Sequence, residues 1–221
     1  MRIIFSLMIV SSILICQDWA NLNRYHSENE KLGKPLIHED RIVFMGNSIT
    51  ESWSIIQPEF FNNRPYINRG ISGQTTPQML IRFRPDVIDL DPSLVLILAG
   101  INDIAENTGP SKVENIAGNI ISMAELAKSN GIEVIICSIL PAKDFPWNPK
   151  INPRPKISAV NKIIQDYAEE NNMIFLDYYR SMVDENEGLI EQYGADPVHP
   201  NLAGYKVMSD LAEKAIKKAL K

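Results

Sequence analysis

Polar and apolar positions along this chain fall into two alternating patterns. Short, nearly unbroken apolar runs are separated by longer stretches in which apolar residues recur every three or four positions. The runs are Arg41 to Met45, Tyr66 to Arg69, Leu94 to Ala99, Ile132 to Leu140 and Met173 to Leu176. Runs without alternation read as strands covered on both faces, which is the mark of a parallel sheet. The intervening stretches read as amphipathic helices. The clearest places Val113, Ile116, Ile120, Ala124 and Ala127 on one side, with Ser111 and Glu114 as a capping box and Asn130-Gly131 at its end. Ile157, Val160, Ile164 and Tyr167 mark the next, and Tyr205, Met208, Ala212, Ala215 and Ala219 the last. Strand–helix alternation of this kind predicts an α/β protein, a three-layer α/β/α domain with about five parallel strands.

Smaller elements follow from local signals. Asp18 can cap a helix starting at Trp19, with Trp19, Leu22 and Tyr25 on one stripe and Gly33 ending it. Gly46 and Asn47 release the first strand into a helix beginning near Thr50, and Thr76 to Phe83 forms a short helix stopped before Pro85. The segment from Pro141 to Pro155 carries five prolines together with Phe145 and Trp147. It cannot continue a sheet or a helix, and it leaves the fourth strand on the edge where Ser48 sits. It therefore reads as the wall of a binding site or, on equal grounds, as a rigid connector.

Composition narrows the partners. The 221 residues suit one domain, 45% of them hydrophobic and 22% charged, and the net charge of −5 offers nothing to nucleic acid or an anionic membrane. Met1-Arg2 followed by the apolar Ile3 to Ile15 reads as a signal peptide, too short to span a bilayer. Residues 1–17 are thus expected to be a leader and 18–221 a single domain, exported to the periplasm or the exterior. Ile13-Leu14-Ile15-Cys16 also resembles a bacterial lipoprotein signal, which would leave a lipid anchor on Cys16, although Ile15 stands where a small residue is expected. Cys137, inside Val134-Ile135-Ile136-Cys137, reads as a core residue, so no disulfide framework is expected. His26 and His38 lack neighbouring ligands at metal spacing, and neither a metal nor a cofactor is expected.

The candidate chemistry lies in four polar blocks, each after a strand or before the last helix: Gly46-Asn47-Ser48-Ile49, Asn68-Arg69-Gly70-Ile71-Ser72-Gly73, Gly100-Ile101-Asn102-Asp103 and Asp196-Pro197-Val198-His199-Pro200. Ser48 alone would read as a helix cap. With a glycine N–H, a side-chain amide and an Asp–His pair it completes what acyl transfer needs: a nucleophile, a base with its orienting acid, and donors for an oxyanion.

These blocks, in this order, resemble the SGNH hydrolases, the GDSL esterase/lipase family, and Ser48 in its context is most similar to the acetylhydrolase-like branch. The resemblance implies a flavodoxin-like sheet of order 2-1-3-4-5. It makes Ser48 the nucleophile, His199 the general base and acid, and Asp196 the residue that orients the imidazole. It assigns the oxyanion hole to the Ser48 N–H, the Gly70 N–H and the Asn102 side chain. Asn47 stands where the family usually has Asp, and Thr50 stands where an α/β-hydrolase elbow has glycine. Asp103 reads as structural, and Asp177 as a rival acid without a nearby histidine. The implied function is an exported serine esterase acting on short O-acyl groups, acetyl on carbohydrate above all, with Phe145 and Trp147 as an aromatic surface for the substrate. The alternatives are a lysophospholipase or thioesterase with a longer acyl pocket, and a carbohydrate- or lipid-binding protein without turnover. A flavin or nucleotide module ranks last, since no Gly-x-Gly-x-x-Gly loop or Walker lysine follows the first strand.

Overall fold

A computed structural model describes residues 18–221. The leader, with its two readings as signal peptide and as lipidated Cys16, lies outside the described residues. Five strands form one parallel sheet in the order β2-β1-β3-β4-β5, with β1 at Ile42–Gly46, β2 at Tyr66–Gly70, β3 at Leu94–Leu98, β4 at Glu133–Cys137 and β5 at Ile174–Leu176. This is the order the resemblance implies. Central β1 and β3 are buried along their whole length, which is why their sequences show no alternation. Gly46 is level with Gly70 on one side and Leu98 on the other, so three loops leave the sheet at one edge, where sites form in open α/β folds.

The helices are α1 (His26–Leu32), α2 (Ser48–Ile56), α3 (Pro58–Phe61), α4 (Thr76–Asp86), α5 (Ile101–Ile104), α6 (Val113–Ser129), α7 (Arg154–Glu170), α8 (Tyr178–Met182) and α9 (Leu202–Ala219). On one face α6 packs between α4 and α7; on the other, α9 packs on α2, α8 and the strands β4 and β5. The seam of that second face is aromatic. Trp53 stacks on Phe60 at 5.0 Å and lies 5.7 Å from Tyr205, whose hydroxyl donates to Ile49 O at 2.8 Å. This contact fixes α9, and the loop before it, against the helix that begins at Ser48. No helix among the described residues is long and apolar enough to cross a membrane.

Three local expectations need correction. No helix starts at Trp19: the Asp18 carboxylate accepts the N–H groups of Leu22 and Asn23, both at 2.9 Å, and holds a turn instead. Trp19 and Leu22 stay exposed while Tyr25 is buried, so the supposed stripe does not form and α1 begins at His26. The helix α4 runs through Pro85 to Asp86, because a proline in the last turn removes only one internal donor. The Ser111–Glu114 capping box is absent, α6 starting after Lys112 without a side-chain cap; the capping box that does form joins Thr75 and Gln78 at α4. Cys137 is buried at the end of β4, and burial pushes its thiol up, away from reactivity.

Candidate active site

The first strand ends on a glycine because nothing larger fits. A Cβ on Gly46 would stand 1.9 Å from Thr50 Oγ1, inside the first turn of α2. Asn47 then caps the helix, its Oδ1 accepting the Ile49 N–H at 3.3 Å. Capping is thus the work of Asn47, and Ser48 is left as the first helical residue. Its N–H has no partner within the helix, and its half-buried hydroxyl lies at the positive end of the helix dipole.

That hydroxyl meets the loop before α9. Ser48 Oγ is 3.0 Å from His199 Nε2, and His199 Nδ1 is 2.8 Å from Asp196 Oδ2. The other Asp196 oxygen accepts the N–H groups of Val198 at 2.7 Å and His199 at 2.8 Å, so one carboxylate both folds the loop and holds the ring. Burial pushes the Asp196 carboxyl up, but those two N–H groups and the imidazole outweigh it and hold the pKa below its ordinary value. An ionised carboxylate only accepts, so Nδ1 carries the imidazole proton and Nε2 offers its lone pair to the Ser48 hydroxyl. Asn201 locks the loop from behind: it caps α9 through Ala203 and Gly204 and donates to Gln192 O and Gly194 O, each at 3.0 Å.

The loops after β2 and β3 leave the sheet at the same edge as the turn that carries Ser48. Gly100, at φ +114, turns the chain into α5 and carries Asn102 into a buried position. Asn102 Nδ2 donates to Gln74 O at 2.9 Å and keeps a second N–H for a ligand. Asp103 ties this turn to α4 by accepting the Thr76 N–H at 2.9 Å and the Thr76 hydroxyl at 2.6 Å. Burial nevertheless pushes its carboxyl up to about 6, since Thr76 only partly replaces the lost water. Asp177 is no rival acid here: its carboxylate caps α8 by accepting the Arg180 N–H at 2.9 Å.

Two assignments change. Gly70 is not a free donor, because its N–H is given to Asn68 Oδ1 at 2.9 Å and its carbonyl accepts the Tyr25 hydroxyl. A Cβ on it would fall 2.1 Å from Glu51 N, so the glycine is there to let β2 approach α2. The available N–H in that block belongs to Gly73, which is exposed, sits at φ +76 and makes no hydrogen bond through its N–H among the described residues. Asn107 Nδ2 holds the Gly73 carbonyl at 3.2 Å, and the next carbonyl, of Gln74, is the one that holds Asn102. Phe145 is fully buried and presents no face to solvent, so it does not form the expected aromatic surface. It backs Trp147, at 5.3 Å between centroids, and Trp147 is half exposed with its ring 6.3 Å from that of His199.

Sequence reasoning missed Arg82 and Gln74. Arg82 has no solvent exposure; it donates to Gly46 O at 2.9 Å, to Asp86 Oδ2 at 2.9 Å and to the Gln74 side chain. It thus joins the strand end before Ser48 to the loop that holds Asn102. The signal in the sequence was an i,i+4 Arg–Asp pair in phase with the apolar Met79 and Phe83. Arg82→Met is expected to destabilise the fold by about 3–5 kcal/mol, because the buried Asp86 loses its ion-pair partner and keeps only the Asn29 amide. Denaturant unfolding measures this, and adding Asp86→Leu should restore part of the loss.

Comparison with known proteins bears on the fold and the family. A GDSL-like lipase from Bacteroides thetaiotaomicron VPI-5482, known from its crystal structure, is 51% identical, with a TM-score of 0.89 over 90% of this chain and 98% of that one. The acetylxylan esterase of Geobacillus stearothermophilus is 26% identical over 65% of this chain and 68% of its own length. The Bacillus subtilis lipoprotein YqeF is 24% identical over 62% of this chain, a match spanning 65% of YqeF, just short of two thirds of its length. Residues 44–207 match the model of the GDSL-like lipase/acylhydrolase family, a span that holds all four polar blocks, and the chain therefore belongs to that family of carboxylic ester hydrolases.

Proposed function

We propose that this chain is an exported serine esterase that removes short acyl groups, chiefly acetyl, from carbohydrate, with Ser48 as nucleophile, His199 as base and Asp196 as orienting acid. The observation that carries the proposal is the unbroken relay from Ser48 Oγ through His199, at 3.0 Å, to Asp196, at 2.8 Å. A serine hydroxyl at its ordinary pKa is a poor nucleophile, and this contact supplies the acceptor for its proton. As Oγ attacks the ester carbonyl, the proton passes to His199 Nε2 and the carbonyl oxygen becomes an oxyanion. The donors that can meet it are the N–H groups of Ser48 and Gly73 and the free N–H of Asn102. Collapse breaks the ester C–O bond, and His199 returns the proton to the departing alcohol. Water then repeats the sequence on the acyl-serine and releases the acid.

The acyl and alcohol classes rest on two convergent grounds. Likeness to an acetylxylan esterase supports acetyl on carbohydrate. An aromatic ring held half exposed beside the base suits the face of a sugar. Export is supported by the apolar leader and by the likeness to a lipoprotein. A panel of p-nitrophenyl esters from acetyl to dodecanoyl tests the acyl class. The expected result is kcat/KM highest for acetyl or propionyl and falling from butyryl onward. A maximum at octanoyl or beyond would replace this reading with a lysophospholipase or thioesterase.

Asn102→Ala tests the donor assignment. It should lower kcat by about 10²–10³, or roughly 2.7–4 kcal/mol of transition-state stabilisation, with a smaller change in KM. Steady-state kinetics on p-nitrophenyl acetate measure both, and an unchanged kcat would reduce Asn102 to a residue that shapes its loop.

A further inference from the structure

The loops that follow β4 and β5 enclose a second feature, a cleft of about 720 Å³ lined by Lys143, Asp184, Asn186, Gly188, Glu191 and Asp196 among others. Its size falls within the usual range for ligand sites, roughly 300–1,000 Å³. Its floor is rigid. Asp184 Oδ1 accepts the N–H groups of Asn186 and Gly188, both at 2.8 Å, and Asp184 N donates to Gly188 O at 2.8 Å. A Cβ on Gly188 would lie 3.0 Å from Lys143 Cβ, so the proline-rich loop and this turn close on each other there. At its other end the cleft reaches Asp196 and Pro197. It therefore ends at the residue whose carboxylate holds His199, one imidazole and two hydrogen bonds from Ser48 Oγ. That is too far for the group bearing the ester, and close enough for what is attached to it.

The lining selects the ligand. One cation, Lys143, faces three carboxylates, those of Asp184, Glu191 and Asp196, so an anionic ligand meets net repulsion. An alkyl chain would strip water from these charges without replacing it. A neutral polyol can exchange its own water for hydrogen bonds to the same groups. We propose that the cleft binds the sugar units adjoining the acylated one in a neutral oligosaccharide, while the acylated unit stands over Trp147 and His199. This rests on the reading of the chain as a carbohydrate esterase.

The test uses the intact enzyme and acetylated xylose, xylobiose and xylotriose, with an acetylated trisaccharide carrying a uronic acid as the charged arm. The expected result is a rise in kcat/KM of about tenfold from the monosaccharide to the neutral trisaccharide, carried mainly by KM and smaller for the uronate. Lys143, Asn186 and Glu191 are exposed, so their truncation disturbs no packing. The pair Lys143→Ala, Asn186→Ala should remove the gain with length, and Glu191→Lys should narrow the gap between the neutral and charged trisaccharides. Hydrolysis of all three neutral esters with no gain in length overturns the cleft assignment and leaves the carbohydrate esterase standing. Turnover of p-nitrophenyl acetate with no hydrolysis of any sugar ester overturns both.

Discussion

Ser48→Ala should lower kcat on the preferred ester by a factor on the order of 10⁶, the scale seen when a serine triad loses its nucleophile. What remains should be the weaker catalysis that binding and oxyanion donors give without a covalent step. The fold should hardly notice. Capping of α2 is done by Asn47, and the bond of the Ser48 hydroxyl to His199 is a partly exposed one, worth about 0.5–1.5 kcal/mol. The measurement is turnover of p-nitrophenyl acetate beside a thermal melt of the same preparation. A large loss of rate with a nearly unchanged Tm places the effect in the chemistry. Loss of both would mean that Ser48 holds the turn rather than attacks the substrate.

Asp196→Asn should cost about 10⁴ in kcat with little change in KM. The substitution keeps the size and allows the amide oxygen to go on accepting the Val198 and His199 N–H groups, so the loop should stay folded. The amide nitrogen then faces Nδ1 as a donor. The imidazole is driven to the other tautomer, with its proton on Nε2, where it can no longer receive one from Ser48. Steady-state kinetics on both enzymes decide the point. A loss below tenfold would show that the imidazole is oriented by the backbone of its loop and not by this carboxylate.

Much of the fold is legible in the sequence, for physical reasons that differ by element. The sheet could be read because β1 and β3 are buried on both faces and must be apolar throughout, a requirement the sequence cannot disguise. Ser48, Asn102, Asp196 and His199 could be singled out because each belongs to a polar block that follows a strand or precedes the last helix, and the blocks stand in the order of a known family. The errors came where one residue type serves two physical ends. Gly70 and Gly73 look alike in sequence; one is glycine because α2 passes too close for a Cβ, and the other because its φ is positive, and only the fold tells them apart. Phe145 and Trp147 sit two residues apart, yet one fills the core and the other stands half exposed beside His199. Asp18 carried a cap signal, but its carboxylate accepts the N–H groups of Leu22 and Asn23, beyond the N2 and N3 positions a helix cap would reach, and holds a turn. The Arg82–Asp86 spacing alone could not mark Arg82, because a buried arginine is defined by all its partners, and Gly46 lies 36 residues away.

The central claim is that Ser48 is the nucleophile. Labelling with a fluorophosphonate, followed by peptide mapping, tests it most directly, since the reagent bonds only to a serine whose proton can be removed in place. The account predicts one adduct per chain, on Ser48, and none on the Ser48→Ala protein. An adduct on any other serine, or stoichiometric labelling of the alanine variant, would contradict it.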